Sequence, residues 1–380
     1  MRKKRLSIAG LLLLTLPCWL QAQAQAPAAP SGKTQANQAA APAVQVPVRP
    51  AGEAPVGVDT KKPVDLEADQ AEESRAVALG LCTIRIQSSD VAKGRTAITA
   101  ALHEVARVSA KYDPSGRDSE VSTINRDATR EEVIVSEETY SLVQQALDLC
   151  RESGGALDPT VASYDYLWNF SNKPFVRPLP DEVAARRAMI GCKHLAIKPN
   201  RAVRLMANAL RITLQPFARG LALDKAADVL RKQGIENFRI LLGHDQYVQG
   251  RLGTRHWLAT VPNPHNPQET LAQLYLGSQC AATRSDSDRV VNRGGKRYHD
   301  VIDPRTGQPA QGVASATVIG ADPALITALA EAVFILGPKA GLQLLGHHKN
   351  VEGFVLDTTG KITATPGMSD YARLPAHANL

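Results

Sequence analysis

The chain has 380 residues, 44% of them hydrophobic and only 4% aromatic, with a formal net charge of +7. That is enough apolar content for a large buried core. Four of the positive charges, Arg2, Lys3, Lys4 and Arg5, crowd the first five residues, and without them the balance falls from +7 to +3. With so small a net charge elsewhere and no aromatic-interleaved basic stripe, the composition speaks against nucleic acid as a partner.

A charged start, an apolar run over 6–20 and a following Gln-Ala repeat have the three zones of a secretory signal, so residues 1–24 are expected to be removed, with cleavage after Ala24 or Ala26, and the protein to be periplasmic. The run is shorter than the roughly 20 residues that span a bilayer, and Pro17 interrupts it. Cys18 follows Leu16-Pro17 rather than the small residues a lipidation site uses, and membrane association is expected only if it is lipidated. Residues 25–75 read as an Ala/Pro/Gln-rich flexible linker with an acidic, helix-compatible stretch over 66–75, and 76–370 as one folded domain.

Within that domain, 79–87 alternates with β-branched residues and reads as a strand. Ile98, Leu102, Val105 and Val108 give 93–111 a helical stripe. A polar loop over 112–125 ends in a helical turn, and Ser136 opens a second helix that stops at Gly154-Gly155. The aromatic residues Tyr164, Tyr166, Trp168 and Phe170 follow, suited either to cover a planar ring or to fill the core. A helix over 181–189 and strands over 195–197, 202–205 and 210–214 come next. Arg219-Gly220 is read as a glycine turn before a helix over 221–233, a place where a helix N-terminus can face phosphate, with Asp224 in its first turn. Strands over 238–242 and 247–250 flank the turn Gly243-His244-Asp245, and 257–261 and 271–276 are expected to continue the sheet. A strand over 314–319, helices over 323–336 and 340–345 separated by Gly337-Pro338, and a strand over 351–356 complete an α+β pattern in two layers.

The densest chemistry lies over 295–309, where Tyr298, His299, Asp300, Asp303, Arg305 and Thr306 share a backbone stiffened by Pro304 and Pro309, just downstream of Thr283, Arg284 and Ser285. Acid, base and cation on pre-set backbone suit catalysis or phosphate handling. The same residue types also build ordinary turns. Cys82, Cys150, Cys192 and Cys280 lack the paired spacing of a zinc site; they allow three disulfide pairings or free thiols.

Six segments in order carry a resemblance: Leu79-Gly-Leu-Cys-Thr, Ser119-Glu-Val-Ser-Thr-Ile-Asn, Gly154-Gly-Ala-Leu-Asp-Pro-Thr-Val, Arg219-Gly-Leu-Ala-Leu-Asp, Gly243-His-Asp, and the stretch from Tyr298 to Pro309. Together they make the chain similar to the ApbE family of periplasmic FAD-dependent protein flavin transferases. The resemblance implies mixed or antiparallel sheets with packed helices, bound FAD, and Mg²⁺ to neutralise its pyrophosphate. It also implies transfer of FMN to a Thr or Ser hydroxyl of an acceptor redox protein, with release of AMP. By position it assigns Asp303, Asp300 and His299 to catalysis. It assigns Asp224, Gly243, Asp245, Thr283, Arg284, Arg305, Thr306 and Gly307 to the flavin and phosphates, and Thr327 and Glu331 to the metal.

Several positions depart from the family pattern. Asp300 stands where a His is usual, Arg284 where a small residue is usual, His244 where the second glycine of Gly-Gly-Asp is usual, and Arg219 where Lys is usual. Thr327 and Glu331 reverse the family's acid and hydroxyl along one helix turn; the site is expected either to keep Mg²⁺ with the two roles swapped on one face, or to have lost it with Arg284 supplying the positive charge. Three readings follow: an active transferase, a degenerate relative that binds flavin or a partner without transfer, or a tethered periplasmic interaction module with no ligand.

Overall fold

The computed structural model describes residues 69–170 and 175–375, so the signal, Cys18 and most of the linker lie outside the described residues. Eight strands form one antiparallel sheet in chain order: β1 (Gln70–Val77), β2 (Gly80–Gln87), β3 (Asn237–Leu242), β4 (Asp245–Gln249), β5 (Gln279–Ser285), β6 (Val313–Gly320), β7 (Glu352–Asp357) and β8 (Ile362–Ala364). The principal helices are α1 (Val91–Tyr112), α2 (Glu120–Asp127), α3 (Glu137–Glu152), α4 (Gln215–Lys232) and α5 (Pro323–Leu345), the last broken at Gly337, as expected. The fold is mixed α+β, as expected.

The sheet is covered on both faces. On one, Ile84, Ile86, Phe238, Ile240, Leu242, Ala316 and Val318 join side chains of α1, α4 and α5 in one core. On the other, Val248, Ala281, Ile319, Phe354 and Leu356 meet Trp257, Ala259, Val261, Leu271, Leu274 and Leu276. Strands sandwiched in this way have no solvent face, and every residue of β6 is buried accordingly.

Four expectations change. The stretch over 66–75 was expected to be helix-compatible linker, but Gln70–Val77 is an edge strand paired with β2, its alternating side chains half-covered by α1. Strands Trp257–Asn263 and Asn266–Leu276 do not continue the main sheet; with Ala372–Arg373 they form a separate three-stranded one. Residues 210–214 belong to no sheet, because side chains hold the backbone: Asn125 bonds both the N–H and the C=O of Ile212, and Ser163 both those of Arg211. Finally, α4 begins at Gln215, so Arg219 and Gly220 lie inside the helix rather than in a turn before it. A Cβ at Gly220 would lie 1.9 Å from the Pro323 carbonyl oxygen. The glycine is there to let α4 and α5 touch, and no helix N-terminus faces a ligand at that point.

Candidate active site

The turn after Ile302 is held by its own first residue. Asp303 accepts from the Arg305 N–H (2.9 Å), Arg305 Nε (2.9 Å) and Arg305 Nη2 (2.8 Å), while its carbonyl takes the N–H of Gly307 at 2.8 Å. Thr306 Oγ1 accepts from the N–H of Gln308. Gly307 sits at φ +69, and a Cβ there would meet Tyr164 and Val183 within 3 Å. Trp168 Nε1 donates to the Gly307 carbonyl (2.7 Å) and Tyr164 Oη to that of Pro304 (3.3 Å). The aromatic run therefore clamps this turn from below. Trp168 stacks with Phe170 and Phe175 as core; it does not offer an open ring-binding face.

A second segment meets the turn. Asp158, in the Gly154–Val161 segment, is buried and accepts from the N–H and hydroxyl of Thr160 and from the N–H of Cys192. Burial raises its carboxyl above the usual range, against those hydrogen bonds. Cys150 and Cys192 form a disulfide beside it; Cys82 and Cys280 are buried free thiols, which resolves the open pairing. A narrow cleft of ≈ 10 Å³, room for about one water, runs between Ala156–Pro159, Phe217, Ile302, Pro304 and Glu331. Arg305 borders Gly155.

Behind the cleft lies a chain of alternating charge. Asp245, with no exposed surface, accepts from Arg219 Nε at 2.6 Å and from Arg284 Nη1 at 2.9 Å. Arg284 Nε reaches Glu331 Oε2 at 3.4 Å. Arg219 also donates to the carbonyls of Leu79 and Leu242. Gly243, at φ +62 in a two-residue hairpin turn, leaves the space that Arg219 Nη2 fills: a Cβ would come within 2.8 Å of it. Burial opposes ionisation of Asp245, but the two arginines reverse this and hold it below the usual carboxylate range. Burial raises Glu331, with Arg284 opposing and Asp300 adding to the rise.

The remaining positions divide. Thr283 joins this group through its N–H to Asp245 (3.3 Å) and its hydroxyl to Thr317 (2.9 Å). His299 is buried edge-on to Phe334, its Nε2–H given to the Ala310 carbonyl, and burial lowers its pKa. It is a packing residue, not a free base. Asp224, half-exposed on α4 beside Lys225 and raised chiefly by burial, makes no recorded contact with the cluster. Asp300 is half-buried, only 3.7 Å from Arg289 Nε, and raised by burial with Asp288 adding to it. Of the three assigned catalytic groups it has the loosest tie.

Thr327 and Glu331 do not fit a divalent cation. Thr327 is fully buried and gives its hydroxyl to the Pro323 and Ala324 carbonyls. Glu331 already faces Arg284, and Asp245 is spent on two arginines. An ion taking Glu331 would strip a carboxylate from a guanidinium whose side chain is only 8% exposed. Breaking such a buried pair costs roughly 3–5 kcal/mol.

The ApbE family model matches residues 81–355. The chain belongs to the ApbE family. An FAD:protein FMN transferase of Vibrio cholerae is 31% identical over 263 residues, 68% of this chain and 78% of that protein. One from Treponema pallidum is 27% identical over 317 residues, 77% of this chain and 86% of that protein. Among solved structures, the ApbE protein of Thermotoga maritima superposes with TM-score 0.74 at 28% identity, covering 80% of this chain and 99% of that one. The flavin transferase ApbE of Vibrio cholerae gives TM-score 0.68 at 26% identity over the same shares.

Proposed function

We propose that the protein is an FAD:protein FMN transferase of the periplasm that moves FMN from FAD to a Thr or Ser hydroxyl of a redox protein. One observation carries this reading. Segments far apart in the chain, 154–161, 213–217, 302–304 and the Glu331 turn of α5, converge on one cleft in a chain whose relatives carry this activity.

In the proposed reaction the acceptor oxygen attacks the FMN phosphorus, the P–O bond to AMP breaks, and AMP leaves with the electron pair. The hydroxyl proton is assigned to Asp300, a half-buried carboxylate 3.7 Å from Arg289 Nε. Asp303 and Arg305 fix the turn that floors the cleft. Because the cleft holds about one water, a flavin enters only by displacing side chains along it.

The full chain mixed with FAD and an acceptor flavoprotein fragment, denatured and run on a gel, is expected to leave covalent flavin fluorescence on the acceptor. Flavin retained by the protein with an unlabelled acceptor would instead establish the non-transferring relative. The arginine at 284 and the reversed pair at 327 and 331 are the features that favour that second outcome.

A further inference from the structure

Arg219, Asp245, Arg284 and Glu331 alternate in sign, and their formal charges sum to zero. The arrangement depends on coordinated departures from the family pattern: a cation where a small residue is usual, and a carboxylate one helix turn along from its usual place. The two changes face each other in a single contact, Arg284 Nε to Glu331 Oε2. Arg284 stands opposite Ala316 on β6, whose small side chain leaves room for it. Its Nη1 is shared between Asp245 and the Thr283 carbonyl, while Nη2 is buried with no hydrogen-bond partner. A buried guanidinium N–H without an acceptor is uncommon in a native structure and calls for one. A phosphate oxygen would satisfy it with one charge-assisted hydrogen bond.

We infer that this protein binds the diphosphate of its nucleotide without a divalent cation, the Arg284 Nη2–H donating to a phosphate oxygen. The flavin-transferase reading supplies only the identity of the nucleotide. Asp245 and Glu331 position the guanidinium, and Arg219 balances Asp245 from the other side.

The test uses the full chain and three probes. Mn²⁺, titrated alone and followed by its EPR signal, is expected to remain free. FAD affinity, read by quenching of flavin fluorescence, is expected to agree within about twofold in EDTA and in Mg²⁺. ADP in EDTA, a diphosphate without flavin, is expected to raise the melting temperature. Arg284→Ser should weaken FAD binding in EDTA by about tenfold, the loss of one charge-assisted hydrogen bond, with circular dichroism checking the fold. The triple variant Arg284→Ser, Thr327→Asp, Glu331→Thr should acquire Mn²⁺ binding and EDTA-sensitive FAD binding.

Wild-type protein that binds Mn²⁺, or FAD affinity that falls tenfold or more in EDTA, overturns the inference. An unchanged FAD affinity in Arg284→Ser does so as well. ADP bound without FAD would remove the flavin reading and leave the cation-free clamp standing. Failure to bind either nucleotide would remove both.

Discussion

Asp300 and Asp303 are three residues apart and meet opposite fates. Asp303 spends both carboxylate oxygens on Arg305, so it shapes a turn, whereas Asp300 is held only loosely by Arg289. Asp300→Asn is therefore expected to slow flavin transfer about 10²–10⁴-fold, the usual share of a general base, with FAD affinity unchanged. Equal losses in rate and affinity would sink the assignment. Because burial raises the Asp300 carboxyl, the acid limb of the rate profile should lie above the ordinary aspartate range of about 3.9. His244 gives a second titration. Its Nε2 lies 3.3 Å from Asp288, and that hydrogen bond raises its pKa. The sign follows directly: the raised folded value stabilises at low pH, and the contribution fades as pH climbs through it. NMR titration is expected to place His244 above about 6.5, and Asp288→Asn to bring it back.

At the scale of elements, helices were the most legible part of the chain. Ile98, Leu102, Val105 and Val108 mark α1, and Ser136 caps α3 by accepting from the Thr139 N–H, as its position suggested. What sequence period cannot encode is the partner. Trp257, Ala259 and Val261 alternate with exposed neighbours and announce a strand with one apolar face, but nothing in that alternation says which sheet it joins. Gly220 was misread for a similar reason, since a turn and a helix crossing both call for glycine. Gly220→Ala tests the second: overpacking against Pro323 should cost about 1–3 kcal/mol, seen as a lower melting temperature. A neutral result would mean that α4 and α5 separate freely. The site was half legible. Residue types at 284, 300, 327 and 331 flagged a changed pocket, while the pairing of Arg284 with both Asp245 and Glu331 needed three elements in space.

On the scale of the molecule, the Cys150–Cys192 disulfide closes a 42-residue loop that includes Asp158 and the aromatic clamp. The chain-entropy relation gives about 4 kcal/mol for a loop of that length. Cys150→Ser with Cys192→Ser, or reduction, should lower thermal stability accordingly. Cys82→Ser and Cys280→Ser serve as controls for thiol loss without a bridge. If reduction leaves the melting curve in place, the bridge contributes nothing to holding the clamp.

Because its eight strands follow chain order, the main sheet also has an unequal assembly schedule. β3 and β4 meet through a two-residue turn, whereas β2 reaches β3 only after everything from Ser88 to Glu236 has been laid out. Closing that long connection costs chain entropy before any ladder bond is returned, so the β3–β4 hairpin should form early and the β2–β3 seam late. In pulse-labelled hydrogen exchange, the amides of Tyr247 and Ile240, which face each other across β3–β4, should be protected before that of Thr83, which faces Leu241 across β2–β3; simultaneous protection would rule out this order. Half of the arginine cluster is then built across the late seam. Arg219 finds the carbonyls of Leu79 and Leu242 together only once β2 has docked, so competence to bind a nucleotide should be among the last properties the refolding chain recovers.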